Sequence, residues 1–242
     1  MRHIIIISSL ILSSVCSAQR FADQVPQLKR YTQDDAFDPN GGIKMYNRLI
    51  PTIGGDSIRY NKAGYNLQGW QEDYYSSGKI LHKGFYVDGQ IKVFKNFYED
   101  GQIERSFINS DPARSSFDIY YPNGKVQKQI LYYNGQPQNE YTYFQNGSPE
   151  SIVEKDKEVQ YIFKRKYYYE NGFPASELTL IDKKIKKYEA KEYYENGKLK
   201  EEGFLLYKPD TKQYIKEGEW TYYDEKGEAV KKESFKNTLT KP

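Results

Sequence analysis

The chain has 242 residues, with 36 Lys and Arg against 33 Asp and Glu, 25 tyrosines and one cysteine. Its net charge of +3 is spread without long runs of one sign, which argues against nucleic acid as the main partner, since such proteins carry a strong basic footprint. The lone Cys16 excludes a disulfide framework, and Leu, Ile, Val and Phe at roughly a fifth of the residues argue against a thick aliphatic core.

Residues 1–18 read as a signal peptide. Arg2 and His3 precede an apolar run from Ile4 to Val15, and Cys16-Ser17-Ala18 offers small residues for cleavage after Ala18. The run is shorter than the roughly 20 residues that span a bilayer, so the mature chain is expected to have no transmembrane span. Export to the periplasm, the cell surface or the medium is therefore expected. A lipidated Cys16 is the alternative, but Ser13 and Val15 stand where lipoprotein signals carry leucine and a small residue. Residues 19–57 read as a linker and cap. Arg20 to Asn40 is polar with Pro26 and Pro39, and Ile43 to Ile50 could form two helical turns between Gly41-Gly42 and Pro51. Gly54-Gly55-Asp56-Ser57 reads as a turn rather than an anion nest. Residues 58–235 form the repeat domain, and 236–242 a C-terminal tail.

One phrase recurs through the repeat domain: two aromatics, two polar residues and a glycine. Its glycines are Gly78, Gly101, Gly124, Gly147, Gly172, Gly197 and Gly227, spaced by 23, 23, 23, 25, 25 and 30 residues. A period in this range signals a repeat architecture. The last copy, Tyr222-Tyr223-Asp224-Glu225-Lys226-Gly227, reads as carrying one extra residue. Val87-Asp88-Gly89-Gln90 and Tyr133-Asn134-Gly135-Gln136 fall eleven residues after Gly78 and Gly124 and read as return turns. Two strands per unit then give an all-β fold, an elongated antiparallel meander of about seven two-stranded units.

Asn-Gly is a strong signal for a two-residue type I′ turn. With glycine second, the second aromatic lies opposite the residue two after the glycine: Tyr75–Ile80, Tyr98–Ile103, Tyr121–Val126, Phe144–Pro149, Tyr169–Pro174 and Tyr194–Leu199. These residues and the phrase glycines are the expected structural repeat positions, on the drier face. The first aromatics, Tyr74, Phe97, Tyr120, Tyr143, Tyr168 and Tyr193, then form a row on the wetter face and are the candidate binding residues. Gly69-Trp70 through Tyr75 reads as a counterpart of Gly218-Glu219-Trp220 through Tyr223. Lys183, Lys184, Lys186 and Lys187 form the most basic spot. They read as a hairpin guarding a sheet edge, with an anionic lipid or glycan contact as the functional alternative.

The Tyr-Tyr-x-x-Gly-Lys-Leu phrase, as in Tyr193-Tyr194-Glu195-Asn196-Gly197-Lys198-Leu199, resembles the bacterial variant of MORN repeats. Gly218-Glu219-Trp220-Thr221-Tyr222-Tyr223 resembles the other half of that repeat. The likeness covers Ile58 to Phe235 and implies an elongated β-meander with no shared catalytic residues. Bacterial members are often labelled antitoxin-like, which fits an export signal poorly. The YD repeats of toxin shells and the aromatic repeats that bind cell-wall choline or glucan are similar in a looser way.

The residues offer little chemistry. Once residues 1–18 are removed, His82 is the one histidine left and no cysteine remains, so a His-rich or Cys–His metal site cannot be assembled. Gly-x-Ser-x-Gly and phosphate-cradling glycine motifs are absent. No enzymatic activity, cofactor or metal is expected. A binding or scaffold role in the cell envelope is the expected function, with a protein as partner and an envelope glycan or lipid headgroup as alternatives.

Overall fold

Aromatic and β-branched residues alternate with polar ones and are interrupted by a turn roughly every ten residues, which favours hairpin after hairpin over any helix. The computed structural model describes residues 57–75 and 77–236, preceded by three short strand segments. These are β1 (Lys29–Tyr31), β2 (Phe37–Asp38) and β3 (Gly42–Ile43); β2 pairs with β3, and β1 pairs in parallel with β4 (Ser57–Arg59). The expected signal peptide, nearly all of the two helical turns at Ile43–Ile50 and most of the tail lie outside the described residues.

Fourteen strands follow in one sheet: β5 (Gly69–Tyr74), β6 (Ile80–Val87), β7 (Gln90–Phe97), β8 (Ile103–Asn109), β9 (Arg114–Tyr120), β10 (Val126–Tyr133) and β11 (Gln136–Tyr143). Then come β12 (Pro149–Lys155), β13 (Ile162–Tyr168), β14 (Pro174–Asp182), β15 (Lys187–Tyr193), β16 (Leu199–Lys208), β17 (Gln213–Tyr223) and β18 (Ala229–Phe235). Each pairs antiparallel with its chain neighbours, and the sheet does not close: its order is the chain order from β5 to β18. At about 4.8 Å per strand the sheet is roughly 60 Å across before twist shortens it.

The phrase turns differ from the expected type I′ form. At the sixth copy Tyr194 N donates to Lys198 O (2.8 Å) and Gly197 N to Tyr194 O (2.9 Å). Gly197 has φ +80°, while Asn196 is not among the residues with positive φ. This is a type I turn closed by a glycine bulge, one residue longer than type I′. The extra residue moves the pairing. Ile80, Ile103, Val126, Pro149, Pro174 and Leu199 face the first aromatics Tyr74, Phe97, Tyr120, Tyr143, Tyr168 and Tyr193, not the second ones. Type I′ geometry occurs at the return turns instead, where Asp88 (φ 51°) and Asn134 (φ 48°) precede Gly89 and Gly135, both also at positive φ. The last phrase has no extra residue: Tyr223 pairs with Ala229, so Tyr223 and Asp224 hold the two aromatic positions.

Neighbouring strand residues point to opposite faces. Phe94, Phe107, Phe117, Ile130, Glu140, Val153, Arg165, Leu178, Ala190 and Gly203 are successive cross-strand partners from β7 to β16. The row starts and ends apolar and is polar in the middle. Two separate clusters result on this face, one around Tyr86, Ile91, Phe94 and Phe107, the other around Leu178, Tyr188, Ala190 and Trp220. A Cβ on Gly203 would lie 2.4 Å from the Trp220 ring, so the glycine makes room for the indole, whose Nε1–H donates to Phe204 O (3.1 Å). Trp70 is not its counterpart. It lies eight residues before its phrase glycine and Trp220 seven, so Trp70 falls on the other face and is 61% exposed against 2%.

Among the described residues, only the first cluster is covered. Residues 57–67 cross the Asp88-Gly89 turn, with Arg59 N donating to Gly89 O and Gly89 N to Leu67 O, both 2.9 Å. Leu67 packs into that cluster. The linker and cap expected at residues 19–57 lie mostly outside the described residues, and the segment that covers this cluster, 57–67, was read almost wholly as part of the repeat domain.

Candidate interaction surface

The second aromatics carry a function of their own. Tyr75 donates its hydroxyl to Phe97 O (2.6 Å), and Tyr98, Tyr121, Tyr169 and Tyr194 donate to Tyr120, Tyr143, Tyr193 and Tyr223 O (2.8 Å each). Each turn thereby bonds the next along one rim of the sheet. Asn123, Asn171 and Asn196 add amide donors to Gln145, Glu195 and Glu225 O. Their Oδ1 atoms cap their own turns, as when Asn196 accepts from Lys198 N (2.9 Å). Phe144 has no hydroxyl, so this ladder is interrupted between the fourth and fifth phrases. Asp224 ends it, capping its own turn through Lys226 and Glu228 N (2.9 Å each).

The candidate row of first aromatics does line one face, at the ends of β5, β7, β9, β11, β13 and β15. Its exposure is small. Tyr74 is 48% exposed, and Phe97, Tyr120, Tyr143, Tyr168 and Tyr193 are half-buried. A hydrogen bond to Glu72 (2.6 Å) raises the Tyr74 pKa, and burial raises that of Tyr193.

His82 lies in a buried polar chain under the cap. Arg59 forms a bidentate pair with Asp73 (2.7 and 2.5 Å) and donates to Tyr86 Oη (3.2 Å). His82 Nδ1 donates to Asn96 Oδ1 (2.7 Å), leaving Nε2 to accept from Tyr86 (3.0 Å). Burial lowers the His82 pKa to about 4. The imidazole is neutral, fully engaged and shut off from solvent, so it acts as a structural side chain. Among the described residues no group of three His, Cys, Asp or Glu is placed to hold a metal, and no helix is long and apolar enough to cross a membrane.

Among the described residues, nothing caps the second cluster. Within it, Lys216 Nζ sits 3.9 Å from the Trp220 ring centroid and 5.0 Å from that of Tyr222, bonded to Glu201 (3.0 Å). Burial opposes its charge, but the bonds to Glu201 and Tyr222 outweigh burial and raise its pKa. Beside the cluster the face stays open: Phe163 is 49% exposed, Tyr167 42%, and Ile181 and Ile185 51% each. Tyr161, Phe163, Leu180 and Ile181 line a groove of about 530 Å³ between the β12–β13 and β14–β15 turns. Lys183 lies over the Tyr161 ring (5.6 Å), and Lys186 lies between Tyr161 and Tyr207 (5.8 Å to each). These lysines guard no sheet edge, because β14 and β15 are interior strands. Hydrophobic residues at 163, 181 and 185 carried no repeat signal, and sequence reading missed them.

The MORN repeat variant model matches residues 119–134, 189–205 and 216–237. Each match covers the end of an odd-numbered strand, its phrase turn and the following strand. The chain therefore carries MORN-variant units at three positions. No curated protein matches the chain. Among solved structures it is similar to a point mutant of S. aureus TarM in complex with Fondaparinux, alpha-GlcNAc-glycerol and UDP, at 11% identity and TM-score 0.23, covering 62% of this chain and 22% of that one. It is also similar to TcdB2-TccC3-TEV, at 8% identity and TM-score 0.20, covering 70% of this chain and 12% of that one. The chain thus spans under a quarter of either structure's length, and at these TM-scores neither speaks to its activity.

Proposed function

We propose that this chain, built on MORN-type repeats, is a non-enzymatic binding module exported to the cell envelope, and that its partner is a protein. The observation that carries this is the asymmetry of the cluster face: residues 57–67 close its first half, while its second half keeps Phe163, Tyr167 and Ile181 more than two-fifths exposed. An apolar strip of that kind, rimmed by charged residues, marks an interaction surface. An extended sheet can meet a partner along its length, as repeat proteins do. The signal-like residues 1–18 support export. A glycan or lipid headgroup is less well served, because the row of first aromatics offers one exposed ring, Tyr74.

The test is site-specific photocrosslinking in the native envelope, with the crosslinker at Tyr167 and, as control, at Ile108, 47% exposed in the other half of the sheet. A discrete protein adduct from position 167 and none from 108 is the expected result. Adducts with glycan or lipid, or equal labelling at both positions, would overturn the reading. Intact mass of the native chain tests export, and a chain retaining residues 1–18 in the cytosol would refute it.

A further inference from the structure

Resting on that reading, we infer that the groove between the β12–β13 and β14–β15 turns is a docking site for an acidic polypeptide segment that inserts a large apolar side chain. The walls supply the anchor. Phe163 and Ile181 are about half exposed, and Leu180 and Tyr161 line the same groove. The volume, about 530 Å³, is sufficient for one or two bulky side chains.

Charge sets the partner's sign. Residues 155–158 and 182–187 hold six lysines and three carboxylates. Two of those carboxylates are committed to their own turns. Asp156 accepts from Gln160 N (2.7 Å) and Tyr161 N (2.9 Å), and Asp182 from Lys184 N (2.8 Å). Lys187 is itself ion-paired with Glu217 (3.3 Å), so five lysines stand against three carboxylates, the rim stays net basic, and carboxylates flanking the inserted side chain would meet those lysines. Buried hydrophobic anchors supply most of the affinity of such contacts, and rim charges mainly speed association and select the partner.

The shape selects a polypeptide over a bilayer. A membrane surface is flat on this scale and cannot fill a concavity, so Phe163, Leu180 and Ile181 would stay incompletely buried against it. Strand addition is also excluded, because the backbones of β12 to β15 are paired on both sides. Recognition must go through side chains. The open edge β18 is a different surface.

The probe is a random dodecapeptide display library panned against the mature chain. Selected peptides are then measured by fluorescence anisotropy on the wild type, on Phe163→Ser/Ile181→Ser, on Lys157→Glu/Lys184→Glu and on Ile108→Ser as control. All five positions are solvent-facing, and circular dichroism melts check that each variant folds. The expected result is enrichment of Asp- and Glu-rich peptides around one Trp, Phe or Leu. Their affinity should fall at least about tenfold in each double variant, weaken with salt and stay unchanged in Ile108→Ser. Neutral or basic winners, or acidic winners that bind the double variants as well as wild type, overturn the groove assignment while leaving a protein-binding module intact. No enrichment at all, with binding to vesicles of mixed phosphatidylcholine and phosphatidylserine, overturns both the groove and the protein-partner reading.

Discussion

Replacing Phe144 with tyrosine restores the missing rung of the rim. In five phrases the second aromatic is a tyrosine bonded to the next turn at 2.6–2.8 Å. Phe144 occupies the same place, and the carbonyl corresponding to the other acceptors is that of Tyr168. The larger spacing to the next phrase is no obstacle, since Tyr169 reaches Tyr193 across the same 25-residue glycine interval. A half-buried hydroxyl–carbonyl bond contributes a net 0.5–1.5 kcal/mol, about 1 kcal/mol as a central figure. For a chain of this size that raises Tm by roughly 2–4 °C. Tyr121→Phe removes the bond to Tyr143 and should lower Tm by a similar amount. The assay is thermal melting by circular dichroism, supported by urea titration. If Tyr121→Phe and Tyr169→Phe melt like wild type, the ladder does not stabilise the sheet. If those two destabilise while Phe144→Tyr gains nothing, the central turns are not stacked as their neighbours are.

Three further outcomes follow from other parts of the fold. Gly203→Ala places a Cβ 2.4 Å from the Trp220 ring, and overpacking of this kind should cost about 1–3 kcal/mol in urea titrations; an unchanged midpoint would mean the indole does not rest on β16. The His82 pKa is lowered in the folded chain from 6.5 to about 4, so the unfolded chain takes the proton first: the full contribution is present above about pH 6.5 and is lost as pH falls towards 4, by about 3 kcal/mol. His82→Gln should flatten that pH dependence, and a variant with the wild-type acid slope would remove His82 as its cause. Small-angle scattering should give a radius of gyration clearly above the roughly 17 Å of a compact chain of this length, and a value at that figure would contradict the open sheet.

The strand pattern and the seven turns were legible because they are local: period-two alternation and a glycine at fixed spacing specify a hairpin wherever they occur. The register was not legible, although it differs by only one residue. Asn-Gly suits type I′, but here the asparagine amides bond the next turn and cap their own, which favours type I with a bulge. Those partners lie 29 residues away at Asn196 and 24 at Asn171, beyond any local pattern. Trp70 and Trp220, alike in sequence, face opposite sides for a different reason, since they stand eight and seven residues before their phrase glycines.

From sequence alone, the chain was legible as a meander of hairpins with a single cysteine and so no disulfide of its own, because composition and periodicity act residue by residue along a strand. Tertiary structure alone decided which surface is free. Among the described residues, 57–67 cover one cluster and nothing covers the other, and Phe163 and Ile181 line one groove only because β13 and β14 lie side by side. Exposure is a property of what packs against a side chain, and no spacing rule along the chain encodes it.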